Sequence, residues 1–96
     1  MSKLTVVAKL VAKKDCAAAV KTELLKLIAP TRKENGCIDY NLHRDNDNPA
    51  VFIFYETWES PASFEAHIKT EHFNSYVMAV NDMLEEKIVH KMTLIS

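Results

Sequence analysis

The chain has one glycine, Gly36, and that scarcity removes a whole group of functions. Phosphate-cradling loops need several positions where bare backbone approaches the ligand, so NAD, FAD and ATP sites of the usual kinds are not expected. Cysteine is nearly as scarce. Cys16 and Cys37, 21 positions apart, make neither a disulfide framework nor a zinc spacing. They read as reduced thiols of a cytoplasmic protein. No charge of either sign dominates: 12 Lys and Arg against 13 Asp and Glu leave a formal charge of −1. The basic residues are scattered, so there is no footprint for nucleic acid or for an anionic membrane. Long apolar runs are missing as well. Lys9 interrupts the N-terminal TVVAKLVA too early for a signal peptide, and nothing approaches the roughly 18 apolar residues of a membrane span.

What is present is an ordinary globular composition, 48% hydrophobic and 26% charged over 96 residues, which reads as a single domain, 1–96. Lys3 to Ala12 alternates as a strand, with Leu4, Val6, Ala8, Leu10 and Ala12 on an apolar face. Asp15 looks like a helix N-cap, and Ala17, Val20, Leu24, Leu27 and Ile28 follow at helical spacing. Pro30 should interrupt this helix, which resumes to about Asn35 before Gly36 stops it in the left-handed region. Cys37 to Arg44 is a second strand, with Ile38, Tyr40 and Leu42 sharing a face, and Asp45-Asn46-Asp47-Asn48-Pro49 is a turn.

Val51 to Trp58 is a third strand, with Phe52, Phe54, Glu56 and Trp58 on one face and Val51, Ile53, Tyr55 and Thr57 on the other. Ser60-Pro61 and Thr70 are helix starts. Phe73, Tyr76, Val77, Val80, Met83 and Leu84 form an amphipathic run, and Lys87 to Ile95 is a last strand. The order βαββαβ predicts an α+β, ferredoxin-like fold: a four-stranded antiparallel sheet with helices on one face. The other face is also apolar, so a ligand or a second sheet must cover it, and a homodimer does so by symmetry.

Residues with chemistry cluster between Phe52 and Phe73. His67 and His72, five positions apart on one helix, diverge by about 140°, whereas zinc-binding pairs use i, i+4, so no metal is expected. Asp45, Asp47 and Glu56 mimic a calcium loop, but Pro49 and Ala50 stand where a ligand and the obligatory glycine belong. The remaining candidates each have two readings. Glu56 is an ion-pair partner of Arg32 or Arg44, or a catalytic acid. Trp58 is core, or the wall of an aromatic site. His67 packs a helix, or is a base whose ordinary pKa near 6.5 suits neutral-pH proton transfer.

Three motifs then carry a resemblance. Arg32-x-Glu34-x-Gly36-Cys37-x-x-Tyr40, Phe52-x-x-Tyr55-Glu56-x-Trp58-x-Ser60, and Phe64-x-x-His67 with His72-Phe73 occur in order. Together they resemble the antibiotic biosynthesis monooxygenase (ABM) domain family, nearest its small bacterial quinol monooxygenase-like members. The resemblance implies a dimeric α/β barrel and oxygenation of a phenolic or quinol-type aromatic by O2 without a cofactor. It implies His67 and Glu56 as catalytic residues, with Tyr40, Trp58, Phe54, Arg32 and His72 binding substrate. Haem-degrading relatives use an Asn on the first strand, then a Trp and a His on the later helix. Here KLTVVAKLVA has no Asn, and His67 and Val77 stand at the other two positions, which disfavours haem. An isomerase of a small phosphorylated signalling sugar, with Arg32, Arg44 and Lys69 as phosphate candidates, and a non-catalytic ligand-binding dimer are the alternatives.

Overall fold

The structure is a computed structural model that describes residues 2–96. The chain runs β1 (Leu4–Ala12), α1 (Ala17–Leu25), α2 (Ile28–Arg32), β2 (Cys37–Arg44), β3 (Val51–Trp58), α3 (Pro61–His67), α4 (Glu71–Val80) and β4 (Leu84–Met92). The strands form one antiparallel sheet in the order β2-β3-β1-β4. This is the ferredoxin-like arrangement, with each expected helix divided in two.

Alternation in the two central strands sets the core. Val6, Ala8, Leu10 and Ala12 from β1, and Phe52, Phe54, Glu56 and Trp58 from β3, are buried beneath the helices. Val20 and Leu24 of α1, Leu27, Phe64 of α3, and Tyr76 and Val80 of α4 close over them. Trp58 and Leu10 have no exposed surface, and each such large side chain contributes about 1.5–3 kcal/mol by leaving water.

The helix breaks have local causes. Pro30 lies in the first turn of α2, where its missing amide costs nothing, and the break falls upstream at Lys26-Leu27. Lys26 is the residue whose carbonyl a proline ring four positions on would clash with. Ser60 caps α3 by accepting from the Ser63 amide, with Pro61 at the first helical position. Thr70 caps α4 in the same way, accepting from Phe73 N–H.

Four expectations are corrected. Asp15 does not cap α1: it turns the chain at φ 68°, and the cap position is Cys16, which makes no side-chain cap bond. Asp tolerates that left-handed conformation, so its role is in the turn. Ile38 does not share the face of Tyr40. The register shifts between Cys37 and Asp39, so Cys37 pairs with Trp58 and packs on the core while Ile38 is exposed. Leu84 belongs to β4, because α4 ends at Val80 before the turn-forming Asn81-Asp82. The last strand accordingly spans Leu84–Met92 and stops short of Ile95.

Gly36 sits at φ 90° where the chain leaves α2 for β2, and its carbonyl accepts from Glu59 N–H at 2.8 Å. A Cβ there would meet Ser63 Oγ and lie 2.6 Å from Ser63 Cβ, so the missing side chain lets this turn press against the start of α3. Gly36→Ala combines left-handed strain of about 1–2 kcal/mol with that collision. We expect a loss on the order of 2 kcal/mol or more in urea unfolding. A loss within about 0.5 kcal/mol of zero would mean that the turn is not held where the structure has it.

Candidate functional site

Two residues apart on β3, Glu56 and Trp58 share the buried face, and the Trp58 indole N–H donates to Glu56 Oε1 at 2.9 Å. Tyr40 lies opposite Glu56 in the β2 register. Its ring stacks on Phe54 at 4.9 Å between centroids. From the helix side, His67 comes down onto this surface as the last residue of α3. It is 1% exposed, with ring centroids 4.8 Å from Trp58, 5.1 Å from Phe73 and 5.6 Å from Tyr40.

A single carboxylate oxygen ties this histidine to a second one. His67 Nδ1 lies 2.8 Å, and His72 Nε2 2.6 Å, from Glu34 Oε2. A carboxylate only accepts, so both nitrogens carry the hydrogen, and the neutral His67 ring keeps its lone pair on Nε2. This tautomer is assigned from the hydrogen bond.

The pairing overturns the angular argument made from spacing. His67 and His72 are not on one helix: α3 ends at His67, and Thr70 restarts the chain as α4. The Thr70 hydroxyl donates to the His67 carbonyl at 2.8 Å, which fixes the corner. Glu34 is pinned from the other side, its amide donating to Thr31 O and its carbonyl accepting from Cys37 N–H.

Burial governs the titrations. It lowers the pKa of His67, against the pull of the Glu34 carboxylate. It raises the Glu56 carboxyl to about 7, opposed by the Trp58 N–H and reinforced by the charge of Glu34. Tyr40 and Tyr76 are pushed up by burial and then by Glu56. The Cys37 thiol is pushed up to about 11 by burial and by Glu34, so it is not a thiolate nucleophile at neutral pH.

The structure brings Glu56, Trp58, Tyr40, Phe54 and His67 into one packed cluster and joins His72 to it through Glu34. Arg32 stays outside. Its Nε donates to the Tyr40 carbonyl at 3.1 Å and its Nη2 to Asn41 Oδ1 at 3.0 Å. The proposed Glu56–Arg32 ion pair is therefore absent, Glu56 being satisfied by the indole, and Arg44 lies at the far end of β2, opposite Phe52.

Trp58 and Tyr40 pack against each other and their neighbours, 0% and 2% exposed, rather than standing open as the walls of a cavity. Access comes from outside the cluster. A groove of about 340 Å³ between α1 and α4 is lined by Glu23, Lys26, Leu27, Glu71, His72, Ser75 and Tyr76. His72 is thus both a wall of the groove and a partner of Glu34.

Glu34, Tyr76 and Lys87 are the residues that sequence reasoning passed over. Glu34 stood inside the first motif, two positions before the left-handed glycine, but nothing local marks it as the partner of residues 33 and 38 positions away. Lys87 places its ammonium 5.6 Å from the Phe73 ring and 5.2 Å from the Tyr76 ring, and burial lowers its pKa.

The raised pKa of Glu56 has a definite sign. Between about 4.5, the ordinary value, and about 7, the folded carboxyl keeps a proton that the unfolded chain has lost. The stability it contributes is full below that window and is lost as pH rises through it. The difference amounts to roughly 3 kcal/mol. Glu56→Gln retains an oxygen for the Trp58 N–H, so relative to wild type the variant should gain stability between pH 5 and pH 8 by up to about 3 kcal/mol in urea unfolding. A difference that does not change with pH would contradict this.

Comparison with known proteins follows the same outline. Residues 3–79 match the family described as antibiotic biosynthesis monooxygenase. The Escherichia coli K12 protein named "Probable quinol monooxygenase YgiN" is 33% identical over 79 residues, covering 73% of this chain and 76% of that one. A Synechocystis protein, sll1783, is 35% identical over 57 residues; the match takes in 59% of this chain and only 39% of that protein's length. Among solved structures, PA3566 from Pseudomonas aeruginosa superposes with a TM-score of 0.95 at 31% identity, covering 100% of this chain and 97% of that one. Rv0793 from Mycobacterium tuberculosis superposes at 0.93 and 25% identity, with 99% and 97% covered. The chain belongs to the antibiotic biosynthesis monooxygenase (ABM) family.

Proposed function

We propose that the protein is a cofactor-independent monooxygenase that acts on a phenolic or quinol-type small aromatic with O2 and works as a homodimer in the cytoplasm. The observation that carries this reading is the Glu34 carboxylate shared by His67 and His72, an acid–base chain running from the buried ring cluster to the wall of a groove. At about 340 Å³ the groove is within the size range of small-molecule sites, and Leu27 and Tyr76 give it apolar surface for one aromatic ring system. The quinol monooxygenase name of the YgiN relative points to the same substrate class.

The chemistry asks little of the protein beyond proton transfer and dryness. A phenol stripped of its proton is electron-rich enough to reduce dioxygen directly. One oxygen atom forms a bond to ring carbon, the other leaves as water, and a hydroquinone emerges as a hydroxyquinone. His72, the member of the pair that lines the groove, accepts the phenolic proton on the ring nitrogen that Glu34 leaves free, and Glu34 couples it to His67 behind. Glu56, pushed up to about 7, exchanges its proton near neutral pH and in its protonated form can donate within the cluster, and the surrounding rings keep water out. Tyr40, Trp58 and Phe54 hold this chain in place from below. Arg32 fixes the backbone of β2 and lies outside the groove lining.

The homodimer reading rests on the outer sheet face. There Val7, Val11, Val51 and Ile53 are half-buried, and Tyr55, Ile88 and Met92 are 47%, 40% and 42% exposed. An apolar sheet face of this extent is rarely left in water.

Oxygen consumption with a panel of dihydroxynaphthalenes and quinols, from about pH 6 to pH 9, is the direct test. We expect turnover that falls by about 10²-fold or more in Glu34→Gln and His67→Gln, with circular dichroism and melting unchanged in at least one of them. Full activity in a folded Glu34→Gln protein would remove the histidine chain from the mechanism. No oxygen uptake with any substrate would remove the activity itself. Separately, Tyr55→Asp should convert a dimer to a monomer in sedimentation equilibrium, and a wild-type monomer would refute the assembly.

A further inference from the structure

We propose that Glu34, His67 and His72 form a binding site for one divalent first-row transition ion, with Glu34 Oε2, His67 Nδ1 and His72 Nε2 as the ligand atoms. These atoms lie within 4.8 Å of one another and come from three separate segments: the turn after α2, the end of α3 and the first turn of α4. At metal–nitrogen distances of about 2.0–2.1 Å, neighbouring ligand atoms stand roughly 3 Å apart. The 2.8 and 2.6 Å separations from Glu34 Oε2 are close to that, whereas the two histidine nitrogens, within 4.8 Å of each other, must draw together, a movement that falls to the part-exposed His72 rather than to buried His67. Two imidazoles and one carboxylate are the donor set of facial-triad sites, which leave further positions open. The set suits zinc, cobalt or iron(II) and does not suit magnesium or calcium, which demand oxygen.

Entry and the remaining coordination positions are supplied by the groove. His72 lines it, together with Glu71 and Glu23. Lys26, the basic residue of that wall, is already paired with Glu23 at 3.0 Å. The N-terminus of α4 opposes a cation at His72. Glu34 carries a full negative charge against that partial one, in contact with both rings. His67 is held from behind by Trp58, Phe64 and Phe73, so the buried ligand is rigid before any ion arrives. The spacing objection fails here because the chain turns a corner between the two histidines.

This inference goes beyond the oxygenase reading and does not depend on it. An ion on His67 Nδ1 and His72 Nε2 makes each ring a ligand with its hydrogen on the other nitrogen, so neither accepts a proton. The metal-loaded and the acid–base forms are therefore alternative states of the same three side chains, and loading should suppress any oxygen uptake.

The test is binding, read without reference to activity. Zn(II) is titrated into the full chain at neutral pH by calorimetry, and the imidazole signals are followed by NMR. We expect saturation at one equivalent, with the signals of His67 and His72 moving together and those of His43 and His90 unmoved. Glu34→Gln and His72→Ala, both at partly exposed positions and checked for folding by circular dichroism, should each weaken binding at least tenfold. Excess Mg(II) should not displace the zinc. Absence of saturable binding would overturn the site. So would binding that is unchanged in both variants, or a titration in which His67 does not respond; the wild-type spectra decide even if a variant misfolds.

Discussion

One oxygen atom, Glu34 Oε2, receives hydrogen bonds from two histidines on two different helices, and much of the helical layer is arranged so that it can. A buried imidazole N–H left without a partner costs about 1–3 kcal/mol, so His67 at 1% exposure requires this acceptor. Bringing the acceptor there requires Gly36. Only a residue without a Cβ lets the turn carrying Glu34 approach the start of α3 this closely. Delivering the second histidine requires the corner at Thr70, whose hydroxyl accepts from the Phe73 amide and donates to the His67 carbonyl. A capping residue and a left-handed glycine, ordinary devices of local structure, thus set the distances of the site.

The cluster beneath is a case of burial outweighing pairing. Glu56 has a good donor in the Trp58 indole, which favours its charged form, yet desolvation is larger and the carboxyl titrates near 7. The charge of Glu34 acts in the same direction as burial. The two carboxylates therefore do not duplicate each other. One is shared between two ring N–H groups near the groove, and the other, buried in the interior beside the indole, takes up its proton well above the ordinary carboxyl range.

The fold was legible because its signals are local. Alternation in Leu4–Ala12 and Val51–Trp58, Ser60-Pro61 and Thr70 each act within a few residues, and each is found where its pattern lies, whereas α2 ends at Arg32 and not at Asn35, so the left-handed Gly36 turns the chain into β2 rather than stopping the helix. The misplacements came where two local options compete. Ile38 alternates correctly until a bulge inserts itself, and Leu84 continues a helical stripe until Asn81-Asp82 ends the helix. The site was legible only in part. Glu56, Trp58 and His67 stood out as polar groups in apolar surroundings, and they do meet. Glu34 did not stand out, because an acid in a turn looks like any solvated acid until a contact 33 residues away defines it. Treating residues 67 and 72 as one helix carried the same fault, applying a regular 100° step across a corner.

The sheet links this site to the opposite surface of the protein. On β3 the buried Glu56 and Trp58 alternate with Tyr55 and Thr57, which point away from the helices, and on β1 Val6 and Ala8 alternate with Val7 in the same way. The same backbone therefore presents the indole–carboxylate pair on one side and an exposed tyrosine on the other. A second copy docked on the outer face, as proposed above, would remove freedom from β3 and so reinforce the 2.9 Å contact between Glu56 and Trp58. A sheet apolar on both sides is costly for a chain this short, since its own helices cover only one face. The cost is reasonable where the inner face must be rigid enough to keep an ionisable side chain dry. The constraint on the outer surface and the chemistry of the inner one are thus two consequences of a single two-residue alternation.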